Sequence, residues 1–268
     1  MQQTSGVIDL RTDHVLFERR GPVAWVTFNR PEARNAMTFA MYDALVRICQ
    51  YVTEDDETRV LVLTGAGEKA FVAGTDISQF TSFSGEQDAL DYETRMTDVI
   101  SPLETLIKPT IAAIRGYAVG GGAALAMACD IRVATPDSRF GFPIARTLGN
   151  ALNIGAYARL VDLIGPARTK EMIFRARLMD AREAHSVGLF SEIVEPEVLH
   201  SHVQEMAEQI AGNAPLTIQI TKEAVRRILA HRRPPHSSDL IVKAYTSEDF
   251  HEGVSAFLEK RKPNWKGK

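Results

Sequence analysis

The sequence has little cysteine and no long apolar run. Its two cysteines, Cys49 and Cys129, both lie among apolar residues, a context that favours buried reduced thiols over a disulfide framework. No apolar run approaches the roughly 18 residues that a membrane-spanning helix needs. The N-terminal stretch MQQTSGVIDLRTD lacks the apolar core of a signal peptide. We therefore expect a soluble cytoplasmic protein with no membrane partner.

The chain also lacks an excess of charge of either sign. With 31 Lys and Arg against 34 Asp and Glu, the formal net charge is -3, which argues against electrostatic binding of nucleic acid. The seven histidines show no spacing typical of a metal site, and nothing indicates a Ser-His-Asp triad. We expect neither a metal nor a nucleic-acid partner.

The hydrophobic pattern predicts strands first and helices later. Residues 14–18 and 22–28, rich in Val, Phe and Trp, predict a hairpin. The continuous apolar runs VLVLTG (60–65) and TIAAIRG (110–116) predict buried strands. After about residue 203 the periodicity is only helical. The pattern indicates repeated strand–strand–helix units followed by a helical tail.

Three further helices, one partly helical segment and one loop are predicted elsewhere in the chain. Helices are predicted at 122–128, 154–163 and 167–176, and the polar segment 78–100 is expected to be only partly helical. The stretch HRRPPHSS (231–238) predicts a loop between tail helices rather than a domain linker.

Three consecutive glycines, Gly120, Gly121 and Gly122, open the helix predicted at 122–128. Each glycine costs about 1 kcal/mol in a helix relative to alanine, and only apolar residues follow as far as Cys129. The triplet therefore serves either to pack the helix closely on a strand or to let a ligand approach the backbone at the helix N-terminus.

Five segments, in order, resemble the crotonase family, the enoyl-CoA hydratase/isomerase superfamily. They are FNRPEARNAM, FVAGTDISQF, IRGYAVGGGAALAMACDIRVA, ARLMDAREAHSVGLFSEIV and EGVSAFLEKRKPNW. The resemblance covers roughly residues 14–266. It implies an α/β fold, a crotonase-like spiral of repeated ββα units with a C-terminal helical region. On this basis residues 1–202 form the core that carries the acyl-CoA site, and residues 203–268 serve oligomerisation and complete the CoA site.

The resemblance implies chemistry on acyl-CoA thioesters. In this family two backbone N–H groups stabilise the enolate or oxyanion that forms on the thioester oxygen. Carried over by position, the donors are Ala73 and Gly121, the second at a helix start where free N–H groups favour negative charge. No separate cofactor is implied, because coenzyme A is part of the substrate, and the family assembles as a homotrimer or a dimer of trimers.

The resemblance also implies a set of residues that bind the substrate and its CoA moiety. Asp76 could instead be only a turn former, and Lys260 could belong to a solvated run of charge. The implied set comprises Glu32, Ala33, Arg34, Thr75, Asp76, Ile77, Gly120, Pro143, Ile144, Thr147, Phe257 and Lys260.

The sequence departs from the family where proton transfer takes place. Family hydratases use two glutamates, one after the glycine run and one after a proline; here Ala124 and Ile144 stand in their places. Neither side chain can transfer a proton. Nearby, Arg146 could bind a substrate carboxylate or steady an anion, or could form a salt bridge, and Thr147 and Asn150 could orient a water or cap a loop.

A replacement carboxylate could come from the polar segment, where the candidates are Glu86, Asp88, Asp91 and Glu93. Three hypotheses follow. The first is an acyl-CoA enzyme that does not use two-glutamate hydration and catalyses isomerisation, decarboxylation, thioester hydrolysis or C–C cleavage. The second is an enoyl-CoA hydratase with displaced catalytic residues, and the third is a CoA-thioester binder without turnover.

Overall fold

The computed structural model describes residues 8–81, 83, 85–230 and 238–268. The loop predicted at 231–238 lies outside the described residues apart from Ser238, which begins a helix. In the described ranges, no helix is both long and apolar enough to cross a membrane.

Ten strands of the described chain form two sheets. The larger sheet has the order β1-β2-β3-β5-β7-β10, and the smaller has the order β4-β6-β8-β9. The strands are β1 (Val15–Arg20), β2 (Val23–Phe28), β3 (Val60–Gly65), β4 (Ala70–Val72), β5 (Thr110–Ile114), β6 (Tyr117–Val119), β7 (Ile131–Ala134), β8 (Arg139–Gly141), β9 (Met179–Asp180) and β10 (Glu192–Ile193).

Ten helices connect or cover these strands in the described ranges. They are α1 (Phe39–Glu54), α2 (Glu86–Thr105), α3 (Gly121–Ala128), α4 (Ile144–Thr147), α5 (Ile154–Phe174), α6 (Ala181–Ser186), α7 (Leu199–Ala211), α8 (Pro215–Ala230), α9 (Ser238–Tyr245) and α10 (Glu248–Leu258).

The repeating unit is two strands and a helix. The pairs β3/β4, β5/β6 and β7/β8 each place their first strand in the larger sheet and their second in the smaller sheet, and helices α2, α3 and α4–α5 follow them. Within each sheet these strands are parallel, as strands joined by crossover connections must be. The predicted hairpin is confirmed as β1 and β2, with Val15 opposite Phe28. The predicted α/β spiral of ββα units is thus confirmed.

The central strands are apolar throughout because both faces of the larger sheet are covered. On one face, Val23 and Val62 pack with Leu199 and Val203 of α7. Their sequence neighbours point to the other face and join the main core formed with α1 and α3. This two-sided burial explains continuous apolar runs in place of alternation. The predicted boundary between residues 202 and 203 falls inside α7, so the division into two regions stays a prediction.

The prediction that the polar segment 78–100 is only partly helical is confirmed, because its α-helical part begins at Glu86, the first residue of α2. The two helices predicted at 154–163 and 167–176 abut without a loop, because α5 is interrupted only at Gly165, whose φ is 79°, followed by Pro166. Both cysteines are free and buried as predicted, and burial raises the pKa of each thiol to about 12.

Candidate active site

A cavity of about 1370 Å³ opens between α2, the start of α3, the start of α5 and the C-terminal helices. Every residue assigned from the sequence to substrate or CoA binding lines it, and so do Ala73 and Gly121. Phe257 and Lys260 reach the cavity from α10 and the turn that follows it, within the same chain. Arg146 does not line the cavity and its side chain is exposed, so the geometry gives its predicted role no support.

The glycine triplet serves one of the two purposes left open by the sequence, the close packing of the helix on a strand. A Cβ on Gly122 would collide with the Val72 carbonyl group, so this glycine lets α3 pack on β4. Gly120, with a φ of 55°, lies against Gly74, and a Cβ on Gly121 would meet the Tyr42 hydroxyl. Two small-residue turns, one before α3 and one after β4, therefore meet at the cavity wall.

The predicted donor Ala73 is corrected by the structure. Its N–H donates to the Arg34 carbonyl oxygen at 3.0 Å, and a backbone amide has only one hydrogen to give. Three residues after Arg34, Met37 donates to the Gly74 carbonyl and accepts from the Asp76 N–H, both at 2.9 Å. Met37 thus pairs with Thr75 as in parallel strands, through the residues on either side of it, Gly74 and Asp76. The Thr75 N–H itself has no hydrogen-bond acceptor among the described residues.

The Gly121 N–H is the second unpaired donor at the cavity wall. Gly121 is the first residue of α3, and the first N–H groups of a helix have no intrahelical acceptor. Within the described ranges no other acceptor is bonded to it either. The amide before it is occupied, because Gly120 donates to the Gly141 carbonyl at 3.0 Å, and the first hydrogen bond of the helix is the one from Ala124 to the Gly120 carbonyl, also at 3.0 Å.

Hydrogen bonds with two tyrosines fix the side chain of Thr75. Its Oγ1 lies 2.9 Å from the Tyr42 hydroxyl and 3.1 Å from the Tyr92 hydroxyl. Burial raises the pKa of both tyrosines above the ordinary value, so both keep their protons at neutral pH. The turn that carries the Thr75 N–H is thereby tied to α1 and to α2.

The positions of the two family glutamates face the cavity as aliphatic groups. Ala124 and Ile144 both line it, and the neighbouring wall is also apolar, formed by Phe142, Leu148 and Ala151. At these two places the cavity offers no group that can carry a proton.

One of the four candidate carboxylates, Glu93, lies in the cavity wall. Its Oε2 accepts a hydrogen bond from Asn153 Nδ2 at 2.9 Å, and its Oε1 accepts one from the Tyr245 hydroxyl at 3.1 Å. Burial raises the pKa of Glu93 to about 7, although these two hydrogen bonds act to lower it. Glu93 therefore exchanges its proton near neutral pH, as a group that both accepts and returns a proton must.

The other three candidates lie away from the cavity. Glu86 and Asp91 are exposed, and Asp91 accepts a hydrogen bond from Gln87 one turn earlier. Asp88 accepts a hydrogen bond from the Gly85 N–H at the start of α2. Helical periodicity alone could not distinguish them from Glu93, because the choice depends on which face of α2 meets its neighbours.

The sequence analysis missed the partners of Glu93. Tyr245 lies on α9, and Asn150 Nδ2 donates to its hydroxyl at 3.1 Å. The Asn150 Oδ1 atom is buried and accepts no hydrogen bond from the described residues. Asn153 also caps α5 by accepting from the Ala156 N–H, a role that its place before an apolar run could have indicated.

The cavity mouth carries the charged residues of the implied CoA set. Asp76 pairs with Arg30 at 2.7 Å and accepts a hydrogen bond from the Ser78 N–H. Burial alone would raise the pKa of Asp76, but hydrogen bonds from Ser78 and Arg30 outweigh it and lower that pKa. Asp76 is thus a turn former here, and its contact with CoA stays a prediction.

No group of three or more His, Cys, Asp or Glu in the described ranges is arranged to hold a metal ion.

Comparison with known proteins decides the family. The family model described as enoyl-CoA hydratase/isomerase matches residues 18–268. The chain belongs to this family. The match begins within β1 and includes every later strand and helix described above.

Several curated family members are similar over almost their whole length. The short-chain-enoyl-CoA hydratase of Clostridium acetobutylicum is 36% identical over 256 residues, which cover 94% of this chain and 97% of that protein. The (E)-benzylidenesuccinyl-CoA hydratase of Thauera aromatica is 38% identical over 258 residues, which cover 94% and 99%.

A solved structure of another family member carries a CoA ligand. It is a methylmalonyl-CoA decarboxylase in complex with 2-nitronate-propionyl-CoA. It is 31% identical to this chain with a TM-score of 0.86, and the match covers 96% of this chain and 99% of that chain. This family member is similar in fold and named for a reaction other than hydration.

Proposed function

We propose that this family member is an acyl-CoA enzyme that holds the thioester oxygen between the N–H groups of Thr75 and Gly121. The observation that carries the proposal is that these two amides lie on the two turns that meet at the cavity wall and that neither has a hydrogen-bond acceptor among the described residues. They stand in place of the pair expected from the sequence, with Thr75 instead of Ala73.

Such a pair acts on the charge that develops during the reaction. When the α-carbon loses a proton, negative charge moves to the thioester oxygen, and fixed N–H donors stabilise it without reorganising. The Gly121 N–H adds the field of a helix N-terminus. Thr75 is held by hydrogen bonds to two tyrosines, so its amide is in place before the substrate binds.

The rest of the implied set supports binding of the CoA moiety near the mouth. Arg34 and Lys260 are the cations of that set, and both line the cavity; cations there suit the phosphates of CoA. Phe257 adds a half-exposed aromatic ring. The methylmalonyl-CoA decarboxylase complex supports the same assignment, because that similar chain binds a CoA ligand.

The site does not support hydration by two glutamates. Ala124 and Ile144 leave the family's two proton-carrying positions aliphatic. Hydration with displaced residues is the second candidate, favoured by the hydratase names of the relatives. Crotonyl-CoA distinguishes the two, since rapid loss of its conjugated-enoyl absorbance at low enzyme concentration would favour hydration.

The donor pair is tested by removing the Gly121 hydrogen with Gly121→Pro. Because a Cβ there would meet the Tyr42 hydroxyl, the substitution is made in a Tyr42→Phe background, and Tyr42→Phe alone is the matched control. We expect turnover of acyl-CoA substrates, found by mass spectrometry on a panel of thioesters, to fall about 10²–10³-fold relative to the control. Equal turnover of the double variant and its control would rule out the Gly121 donor.

Self-association as a homotrimer or a dimer of trimers is also proposed. Helix α8 supports it, because none of its residues is buried and its exposed side chains include Leu216, Ile220 and Ile228. Such an apolar surface is typical of an interface between subunits. Location in the cytoplasm and the absence of a separate cofactor stay predictions.

A further inference from the structure

We propose that Glu93 transfers a proton between two carbons of the acyl chain, so that the enzyme shifts a double bond in an enoyl-CoA thioester. The proposal rests on the function proposed above, since it requires the thioester oxygen to lie at Thr75 and Gly121. It adds the proton-transfer group and the class of reaction.

The position of Glu93 follows from the hydrogen bond that joins α2 to the turn carrying Thr75. Glu93, Met96 and Ile100 are spaced for one helical face, and all three line the cavity. The residue before Glu93, Tyr92, bonds through its hydroxyl to Thr75 Oγ1 at 3.1 Å. The same turn of α2 thus contacts the proposed donor residue and presents the carboxyl group.

The surroundings of Glu93 suit a group that both takes and returns a proton. Its hydrogen bonds come from the neutral side chains of Asn153 and Tyr245, and no cation of the described residues pairs with it. The tyrosines that face it are Tyr92 on α2 and Tyr245 on α9, and burial raises the pKa of each, so they stay neutral. Arg159 of α5 also lines the cavity but is bonded through Nε to Glu104.

The other carboxylates of the cavity differ from Glu93. Asp76 is bonded to Arg30 and Ser78. Glu32 is exposed and lies 3.9 Å from Arg30, and Asp98 is exposed. Glu93 is therefore the carboxyl group of the described cavity wall that is neither exposed nor paired with a cation.

A single such group favours a proton shift over addition of water. Hydration needs one group for the water and one for the α-carbon, whereas the positions of the two family glutamates here are aliphatic. In a proton shift one carboxyl group performs both transfers, because it receives the proton from one carbon and returns it to another. The apolar wall at Ala124 and Ile144 then accommodates the acyl chain without supplying a second acid.

The reaction balances without water, oxidant or metal. In a 3-enoyl thioester, the Glu93 carboxylate takes a proton from C2, and the C–H electron pair moves through C1 to the thioester oxygen. The resulting dienolate has its charge at the N–H groups of Thr75 and Gly121. Glu93 then gives the proton to C4, the electron pair returns from the oxygen, and the double bond lies between C2 and C3.

The test follows the conversion of 3-butenoyl-CoA to crotonyl-CoA by the rise of the conjugated-enoyl absorbance. We expect the full chain to catalyse it, and Glu93→Gln to lower the rate about 10²–10⁴-fold. Glu86→Gln, the same change at an exposed position of the same helix, should leave the rate unchanged. Binding of butyryl-CoA to Glu93→Gln, measured by calorimetry, should stay within a few-fold of the unchanged protein.

The outcomes separate this inference from the function on which it rests. If the unchanged chain binds butyryl-CoA but does not isomerise the probe, the reaction class is overturned. Equal rates for Glu93→Gln and Glu86→Gln would overturn the role of Glu93 alone. A protein that binds neither thioester would overturn the proposed acyl-CoA function and this inference with it.

Discussion

At the scale of single residues, the site depends on which polar groups are left free and which are occupied. The Ala73 amide is occupied by the Arg34 carbonyl, whereas the Thr75 amide is free because Met37 bridges the residues on either side of it. The sequence located the A-G-T-D turn but could not choose between its amides, since that choice depends on a segment about forty residues earlier. Likewise, Ala124 and Ile144 were recognisable from the sequence as lost proton carriers, but Glu93 was one of four possible replacements.

Tyr245 acts on Glu93 as a positioning residue, and its role predicts a shift in pH dependence. Its hydroxyl donates to Glu93 Oε1, which favours the carboxylate and lowers a pKa that burial raises to about 7. Tyr245→Phe removes this donor, so the pKa of Glu93 should rise. Because proton removal needs the carboxylate, the rising limb of the isomerisation rate should move to higher pH by about one unit.

The pH profile of 3-butenoyl-CoA isomerisation measures this shift. At pH 7 the Tyr245→Phe variant should be slower than the unchanged protein, and the two rates should converge well above the limb. Glu93→Gln should show no limb in this range. A limb at the same pH in Tyr245→Phe would show that the Tyr245 hydroxyl does not set the ionisation of the reacting group.

At the scale of helices and strands, the sequence was most informative where burial is uniform. The strands at 60–65 and 110–116 were predictable because both faces of the larger sheet are covered. Helix α2 was less clear, because its surface faces solvent, the cavity and three neighbouring helices, α1, α3 and α9. Its mixed polar character reflects these different environments and left the start of the helix unassigned.

Helix α8 gives a prediction about assembly. Ile220→Glu combined with Ile228→Glu should weaken self-association, because both side chains are exposed in the single chain and a charge buried at an interface is costly. Gln219→Glu, on the other side of the helix by its 3.6-residue period, is the matched control. Sedimentation velocity should show smaller species for the double variant only; an unchanged mass would exclude α8 from the interface.

At the scale of the whole molecule, the cavity is built from parts that are distant in the sequence. The donor turns come from the ends of β4 and β6, Glu93 from α2, and its partner Tyr245 from α9. The C-terminal helices therefore complete the site within a single chain as well as offering an apolar surface outside it. The family resemblance predicted the fold and the lining of this cavity, but the contact between Glu93 and Tyr245 depends on tertiary packing that no local pattern records.

The most direct test of the central claim is an experimental structure with a stable acyl-CoA analogue bound. Our account predicts the thioester oxygen within about 2.7–3.1 Å of the amide nitrogens of both Thr75 and Gly121, with the acyl carbons next to Glu93. A thioester oxygen placed elsewhere in the cavity, or bonded to neither amide, would contradict it.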